Sequence, residues 1–247
     1  MCTLVVAWQA LDDAPVAVAA NRDESLDRPA SPPSVIDGDP AIVAPRDEEA
    51  GGTWIGYNDR GLFVGLSNRP AADDRPGERS RGRLVLDLLS ATSADAASSG
   101  VEEAVRSSRY APFNLVAADA EAAVVSAWDG RLRVDELDPG VHVVRNAGWD
   151  DRFDAVGGGE SLAAEQAAGA RQLRERLAVR SGEPAAGWLD RAAEALADHE
   201  LGVCVHRDGY GTRSSSLIAI REDGSATYRY ADGPPCRTDF APVDGQI

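Results

Sequence analysis

The alternation of apolar and polar residues divides the chain into blocks, and the first block predicts a β-hairpin. An apolar run, TLVVAWQ, precedes the turn residues Asp12, Asp13 and Pro15, and a second run, VAVAANRDE, follows them. Short apolar runs bounded by Asp and Pro are typical of buried strands and their turns. If the strands pair antiparallel across this turn, the end of the second returns beside the start of the first. The pattern therefore predicts that residues 21–23 lie close to Cys2.

The rest of the chain alternates between groups of strands and pairs of helices. Residues 26–50 are rich in Pro and Asp and are predicted to be irregular. Strands are predicted in GGTWIGYNDRGLFVGLSNRP, FNLVAAD, AAVVSAWDG, RLRVDEL, GVHVVRNAG, GVCVHRD, SSSLIAIRED and SATYRYAD. Helical spacing predicts helices in SRGRLVLDLLSA, capped by Ser80, and in DAASSGVEEAVRSS, SLAAEQAAGARQLRERLAV and AAGWLDRAAEALADH. Runs of strands separated by paired helices favour a layered α+β fold over a doubly wound sheet. Without a break in composition, we expect a single domain over residues 1–247.

Charge is the unusual feature of the composition. Asp and Glu number 41 against 25 basic residues, all of them Arg, so the formal net charge is -16. A surface this acidic repels phosphate backbones and anionic lipids, so we expect no binding to nucleic acid or to membrane surfaces. Dense carboxylates suit a salt-rich cytoplasm, and we interpret the acid excess as halophilic. A GC-rich genome would explain Arg in place of Lys, but not the excess of acid.

The chain carries no pattern for a membrane span, a disulfide framework or a zinc motif. No stretch approaches the roughly 18 apolar residues of a membrane helix, and the start lacks the basic and apolar regions of a signal peptide. We therefore expect a cytoplasmic protein without membrane insertion. Three cysteines, Cys2, Cys204 and Cys236, are too few and odd in number for a disulfide framework. No cluster of His, Asp and Glu has zinc spacing, so no metal site is expected.

Cys2 is the residue with the most distinctive candidate chemistry. Removal of Met1, expected before a small second residue, would leave a cysteine with a thiol and a free α-amine. The amine titrates near about 7.7 to 8.0 and the thiol near about 8.5, so the amine can act as base for its own side chain. Such a nucleophile needs an orienting carboxylate and oxyanion donors, and NRDE at residues 21–24 offers both kinds of group. The alternative is a cysteine that only begins a strand, followed by a turn with a solvated ion pair.

Motifs spread along the chain resemble those of one family. MCTLVVAW, AANRDESLDRP, GGTWIG, SRGRLV, FNLVAAD and GYGTRSSSLI occur in this order over nearly the whole chain. In this combination the chain resembles the NRDE family, also called the transport and Golgi organisation family. The resemblance implies a fold similar to that of the N-terminal nucleophile hydrolases, a four-layer α-β-β-α sandwich. Within that fold it is similar to the cysteine branch, which includes bile-salt hydrolases and penicillin V acylase.

The same resemblance implies a candidate site. Cys2 would be the nucleophile, and its amine the base. Arg22 and Asp23 would hold the thiolate and the amine, Asn68 and Asn146 would donate to an oxyanion, and Arg213 would steady the site. The implied function is a cysteine hydrolase or acyltransferase that opens a non-peptide amide or thioester and requires no cofactor.

A second function, from a different class, is a non-catalytic protein on the same fold that binds or carries haem, acyl-CoA or lipid. Possible iron ligands are Cys2, His142, His199, Cys204 and His206. The spacing of CVH puts Cys204 and His206 on one strand face, which a buried strand also explains. A scaffolding role is the third possibility. For the first two functions the expected partner is a small molecule, and the pattern does not determine which one, nor the oligomeric state.

Overall fold

Two antiparallel β-sheets face each other at the centre of the molecule. The computed structural model describes residues 2–71, 77–155 and 159–247. In these ranges the strands are β1 (Thr3–Leu11), β2 (Ala14–Ser25), β3 (Ala30–Ile36), β4 (Ile42–Asp47), β5 (Ile55–Asn58), β6 (Phe63–Asn68), β7 (Phe113–Ala118), β8 (Ala123–Trp128), β9 (Leu132–Glu136), β10 (Gly140–Arg145), β11 (Gly148–Trp149), β12 (Arg152–Phe153), β13 (His206–Arg207), β14 (Tyr210–Ile220), β15 (Ala226–Ala231) and β16 (Ala241–Pro242). The helices are α1 (Arg81–Leu88), α2 (Ala94–Ser107), α3 (Glu160–Arg176) and α4 (Ala185–Leu196).

The strands form two sheets of different size, and each sheet has helices on its outer face. The larger sheet has the order β12-β11-β10-β1-β2-β14-β15-β16, with β13 paired to β14, and the smaller runs from β3 to β9 in chain order. Helices α3 and α4 pack on the larger sheet, and α1 and α2 pack on the smaller one. The layers are therefore α-β-β-α, which confirms the predicted fold class. Among the described residues, no helix combines the length and the apolar composition that a membrane crossing requires.

The central strands are buried on both faces, which explains their unbroken apolar sequence. In β1, Leu4, Val6 and Trp8 contact the facing sheet, whereas Val5 and Ala7 contact the layer of α3 and α4. A strand covered on one face alternates apolar and polar residues, but a strand covered on both faces is apolar throughout. The run TLVVAW is the sequence of a strand at the centre of a sandwich.

The predicted irregular segment at residues 26–50 is wrong in part, because β3 and β4 lie within it. These strands form one edge of the smaller sheet, and their pairing shifts register between Ser31 and Ser34. Pro32 and Pro33 occupy this irregularity. An edge strand tolerates proline because its outward N–H groups need no partner. The prolines that indicate a loop in the sequence are here the residues of a sheet edge.

Two smaller predictions are also wrong. In the predicted strand GVCVHRD, only His206 and Arg207 are strand residues, and the segment before them is held as a loop by the side chain of Asn21. Its amide nitrogen donates to the carbonyl oxygens of Leu196 at 3.0 Å and Val203 at 2.8 Å. Ser80 stands at the start of α1, as predicted, but its side chain makes no capping hydrogen bond.

The predicted hairpin of β1 and β2 forms, and its open end lies beside the ends of two further strands, β10 and β14. Thr3 in β1 is opposite Asn21 in β2, so Cys2 comes before the paired residues and lies beside Arg22 and Asp23. On the other side of β1, Leu4 is opposite Val144 in β10, which places Asn146 just beyond that strand end. The second of these further strands is β14, in which Thr212 is opposite Asp23.

Candidate active site

Cys2 lies at the meeting point of these strand ends. Its backbone nitrogen donates to Oδ1 of Asn146 at 3.0 Å, and its Sγ lies 3.9 Å from the carbonyl oxygen of Asp23. The residue is 9% exposed and lines a cavity of about 630 Å³ together with Arg22 and Asn68. The Cys2 nitrogen thus contacts a side-chain oxygen and the thiol contacts a backbone carbonyl, and the residue lines the cavity.

Arg22 and Asp23 follow each other in β2 and have separate partners. The Nη2 of Arg22 lies 3.1 Å from Oδ2 of Asp47, and its guanidinium carbon lies 4.1 Å from the centre of the Trp54 ring. Oδ1 of Asp23 accepts a hydrogen bond from the hydroxyl of Thr212 at 2.6 Å. The two side chains do not pair with each other through these bonds: Arg22 lines the cavity, and Asp23 bonds to β14.

Burial dominates the electrostatics of the two acidic groups at this site. It raises the pKa of the Asp23 carboxyl to about 6, although the Thr212 hydrogen bond and the charge of Arg145 act to lower it. Burial also raises the pKa of the Cys2 thiol, although the charge of Arg22 acts in the opposite direction. Because a buried thiol is neutral at neutral pH, it needs a nearby base to become a nucleophile.

Hydrogen bonds from asparagine side chains connect Asn146 with Asn68 and with Asn114. The Nδ2 of Asn146 donates to the carbonyl oxygen of Asn68 at 2.5 Å, so both ends of the Asn146 amide have a partner. A primary amide carries two N–H donors, and the part of the chain that the structure describes provides an acceptor for one of the two on Asn146. Asn114 holds the backbone here by donating to the carbonyl oxygens of Arg145 and Asn146 at 2.8 and 3.2 Å.

Arg213 lies apart from the five other predicted site residues. Its Nη2 donates to the carbonyl oxygen of Arg28 at 3.5 Å, and it is not among the described residues that line the cavity at Cys2. It occupies the register shift between Thr212 and Ser214 in β14. The structure therefore brings together Cys2, Arg22, Asp23, Asn68 and Asn146. Arg213 is connected to them through the carbonyl of Arg28 and through its chain neighbour Thr212, which bonds to Asp23.

Several residues of the site were missed by the sequence analysis. Asp47 joins Arg22 to Arg28, whose Nε lies 2.7 Å from Oδ2 of Asp47, and it belongs to the segment predicted to be irregular. Trp54, Arg81 and Thr212 belong to the motifs GGTWIG, SRGRLV and GYGTRSSSLI, which carried the resemblance but gave no role to these residues. The sequence motifs could therefore have indicated Trp54, Arg81 and Thr212, whereas no motif quoted for the resemblance contains Asp47.

Arg81 gives the cavity a positive group. It lines the cavity and donates to the carbonyl oxygen of Pro112 at 2.8 Å. Among the described residues it forms no ion pair, whereas Arg22 and Arg28 both pair with Asp47. A guanidinium carries five N–H donors, so Arg81 retains donors for a ligand in the cavity.

The histidines and cysteines considered as iron ligands fall into separate places. His142 lies in β10, where its Nδ1 is 2.8 Å from Oδ2 of Asp150, and Cys2 lies at the cavity described above. The other three candidates, His199, Cys204 and His206, lie together with Cys236, which was not predicted as a ligand. The ligand atoms of these four residues all lie within 4.8 Å of one another.

Comparison with known proteins identifies relatives by sequence. The bovine Transport and Golgi organization protein 2 homolog is 30% identical over 233 residues, covering 85% of this chain and 84% of the bovine one. The human homolog of the same name is 29% identical over 234 residues, with the same coverage.

Solved structures with the same fold are more distant in sequence. A mutant of the conjugated bile acid hydrolase from Clostridium perfringens superposes with a TM-score of 0.61 at 12% identity, covering 99% of this chain and 92% of the hydrolase. The N-acylethanolamine-hydrolyzing acid amidase ortholog from Caenorhabditis elegans gives a TM-score of 0.58 at 15% identity, covering 88% of this chain and 92% of the amidase. At these identities the likeness concerns the fold alone, which is that of the N-terminal nucleophile hydrolases.

The family is established by sequence. The model of the Transport and Golgi organisation 2 family matches residues 1–230, so the match includes Cys2, the whole smaller sheet and the larger sheet up to β15. The chain belongs to the Transport and Golgi organisation 2 family.

Proposed function

We propose that this protein is a cysteine hydrolase or acyltransferase of the N-terminal nucleophile type, acting on a non-peptide amide or a thioester. The observation that carries the proposal is the position of Cys2, whose nitrogen bonds to Asn146 and whose thiol lines an open cavity. The fold neighbours named a bile acid hydrolase and an acid amidase support the same reaction class. Resemblance of fold does not by itself transfer a reaction, so the proposal depends on the chemistry of the site.

The first step requires a base beside the thiol. After removal of Met1, the α-amine of Cys2 takes the proton from Sγ, and the thiolate attacks the carbonyl carbon of the substrate. The side-chain oxygen of Asn146 accepts a hydrogen bond from the Cys2 nitrogen and so holds the amine in place. The oxygen that gains negative charge is stabilised by amide donors from Asn68 and Asn146.

The second half of the reaction releases both products. The tetrahedral intermediate collapses, the C–N or C–S bond breaks, and the α-ammonium gives its proton to the leaving amine or thiolate. Water then attacks the acyl-enzyme with the α-amine as base, so a carboxylic acid leaves and the Cys2 thiol is restored. If an amine or thiol acceptor attacks in place of water, the same site performs acyl transfer.

The cavity is lined by both guanidinium and carboxylate groups, and Arg81 is the group that favours an anionic part of the substrate. Arg81 retains donors, and burial lowers its pKa while the Cys2 and Glu24 charges raise it. Arg81 is half-buried, and taking a charged group out of water is costly, so a carboxylate or phosphate on the substrate would offset the desolvation of Arg81. Trp54 and Leu66 provide an apolar wall in the same cavity, which suits an acyl chain.

The experiment tests separately whether the reaction needs the Cys2 thiol and whether it needs the free α-amine on the same residue. The wild type is compared with Cys2→Ala and with a variant that carries one alanine inserted between Met1 and Cys2. The insertion keeps the thiol but moves the free amine away from it. We expect the wild type to lose Met1 by intact mass and to gain one adduct from an acyl electrophile at neutral pH. We expect Cys2→Ala and the insertion variant to lose that adduct and the turnover of amides and thioesters.

The alternative is a non-catalytic carrier of haem or of an acyl thioester. The observation in its favour is Arg81, which lines the cavity and forms no ion pair among the described residues, since guanidinium groups bind carboxylates and phosphates. A chain that retains Met1, resists acylation and binds haem with a Soret band, or binds coenzyme A thioesters without turnover, would support the carrier and contradict the hydrolase.

A further inference from the structure

A second cluster of chemically active side chains lies on the helix-covered side of the larger sheet. It consists of His199, Cys204, His206 and Cys236, which we call the His-Cys cluster. The four ligand atoms lie within 4.8 Å of one another. The Nε2 of His206 lies 3.5 Å from Sγ of Cys204 and 3.2 Å from Sγ of Cys236, and the rings of His199 and His206 have centroids 5.1 Å apart.

We propose that the His-Cys cluster binds Zn²⁺ as a tetrahedral site with two thiolate and two imidazole ligands. The two thiolates balance the charge of the ion, so the site is neutral when it is filled. This set of ligands favours zinc among the biological cations, because zinc accepts both sulfur and nitrogen ligands and undergoes no redox change.

The distances fit the coordination geometry. With Zn–S near 2.3 Å and Zn–N near 2.0 to 2.1 Å, neighbouring ligand atoms of a tetrahedron lie roughly 3.3 to 3.8 Å apart. The two sulfur-to-nitrogen distances at His206, 3.5 and 3.2 Å, are close to this range. The outer limit of 4.8 Å for any pair exceeds it by about 1 Å, which side-chain rotation can provide.

Three ligands come from residues 199–206 and the fourth is Cys236, 30 positions after His206, and this separation explains why no zinc spacing is visible in the sequence. His199 and Cys204 lie in the loop after α4, His206 lies in β13, and Cys236 lies in the turn after β15. Cys204 is buried, Cys236 is half-buried, and the histidines are exposed. A second cavity of about 440 Å³, lined by Cys204 and His206, gives the ion a path from solvent.

The role of the ion would be structural, because the protein supplies all the ligands of a tetrahedral site and leaves no position for water. It would join the loop after α4 to the turn after β15. That loop also reaches the candidate active site: the Val205 amide donates to the hydroxyl of Thr212 at 2.9 Å, which in turn donates to Asp23 at 2.6 Å. Zinc would thus fix the side of the site that orients Asp23. On binding, two Zn–S bonds form and the two thiol protons are released to solvent.

The experiment measures metal content and affinity in the full chain. The protein is purified under reducing conditions, stripped with a chelator and titrated with Zn²⁺ against a chromophoric chelator, with total metal measured by mass spectrometry. We expect one equivalent of zinc and a rise in the thermal midpoint. Substitution by Co²⁺ should give the visible ligand-field bands of a tetrahedral site and a sulfur-to-cobalt charge-transfer band in the near ultraviolet.

Each variant in the His-Cys cluster has a control variant of the same residue type elsewhere in the chain. His199→Ala and Cys236→Ser change side chains that are not fully buried, and each should lower zinc affinity by more than about 100-fold, the upper end of what loss of an outer-shell partner costs. The controls are Cys2→Ser and His142→Gln, which remove the remaining cysteine and histidine of the chain. Both controls should keep one equivalent of zinc.

Three outcomes would overturn the proposal. One is a reduced wild type that does not take up zinc in competition. A second is zinc uptake that persists in both cluster variants. A third is a Cys204–Cys236 disulfide in protein isolated without air, or a haem Soret band that the same variants abolish while zinc does not bind. Failure of Cys2 acylation would leave the zinc result unaffected, because the control Cys2→Ser keeps the cluster.

Discussion

At the residue scale, Arg22 and Asp23 are neighbours in β2, but their side chains bond to different parts of the molecule. Arg22 and Asp23 alternate across β2, as successive strand residues do, so Arg22 faces Asp47 and the cavity while Asp23 bonds to Thr212. Their adjacency to Cys2 could be predicted from the hairpin. Their separation from each other could not, because Asp47 and Thr212 come from distant parts of the chain.

Asp23 carries a cost in stability that its replacement should remove. A rise in its pKa from 3.8 to about 6 corresponds to about 3 kcal/mol of unfavourable free energy when the carboxyl is charged. The folded pKa is above the unfolded one, so this cost is absent below pH about 4 and complete above pH about 6. Asp23→Asn should therefore raise the free energy of unfolding by about 1–3 kcal/mol at pH 7.5 and leave it unchanged at pH 3.5, as measured by urea unfolding.

The same variant should lose acylation of Cys2, because an amide cannot stabilise a charged α-amine as a carboxylate does. The comparison requires intact masses that show the same state of Met1 in both proteins. An Asp23→Asn variant that is more stable and remains fully reactive would indicate that Asp23 has no part in the chemistry. A loss of stability at neutral pH would contradict the pKa argument.

At the element scale, a hairpin of the larger sheet positions Asn146. Strands β10 and β11 flank it, and Asp150 closes the far side by accepting from the Val143 amide at 3.0 Å and contacting His142 at 2.8 Å. The Nε2 of His142 lies 2.7 Å from the carbonyl oxygen of Asp138. With an acceptor at each nitrogen, the ring is suited to the doubly protonated form.

This hairpin should be stabilised by His142 in a pH-dependent way. Burial lowers the pKa of His142, but the hydrogen bond and the charge of Asp150 raise it above the ordinary value overall. A raised histidine pKa gives stability that is complete below pH about 6.5 and is lost as the pH rises through the folded pKa. His142→Gln should thus cost about 1.5–3 kcal/mol at pH 5.5, the range for hydrogen bonds to charged groups, and less at pH 9.

The measurement is urea unfolding of wild type and His142→Gln at both pH values. Asp150→Asn is the matched variant, because it removes the charge that raises the pKa but keeps the size of the side chain. It should show the same trend with pH. A difference in stability that does not change between the two pH values would contradict the ionic explanation and leave only a packing effect.

At the scale of the whole molecule, the acid excess dominates the surface. The net charge of -16 comes from 41 acidic and 25 basic residues. Many arginines lie in exposed ion pairs, such as Arg106 with Glu102 and Arg79 with Asp87. Exposed pairs contribute little, whereas unbalanced charge destabilises the compact state by repulsion.

Salt should therefore stabilise this protein. At about 1 M salt the Debye length falls to about 3 Å, so repulsion among surface carboxylates is screened. The thermal midpoint, measured by circular dichroism, should rise steadily from dilute buffer to about 1 M KCl and beyond. A chain in which the surface ion pairs matter more than the repulsion would show a falling midpoint, and a constant midpoint would remove the halophilic interpretation.

The layers of the fold and the position of Cys2 beside the end of β2 could be predicted from the pattern of residues along the chain. Apolar runs that lack alternation indicate strands buried on both faces, and helical spacing in four segments indicates the outer layers, because burial selects the residue at each position. The turn at residues 12–15 fixes the register that puts Cys2 beside Arg22 and Asp23, since a hairpin is a local structure. The prolines of β3 were misread because the sequence does not show which strand is at an edge.

The contacts between residues far apart in sequence could not be predicted, because they depend on the tertiary packing. Asp47 joins Arg22 and Arg28 from the facing sheet, Asn146 reaches the nitrogen of Cys2 across 144 positions of sequence, and Cys236 joins His206 across 30. Such contacts depend on how two sheets and their loops pack, and single residues far apart in sequence carry no periodic signal of that packing. The proposed nucleophile could be found from a hairpin, whereas the cavity around it and the His-Cys cluster required the fold.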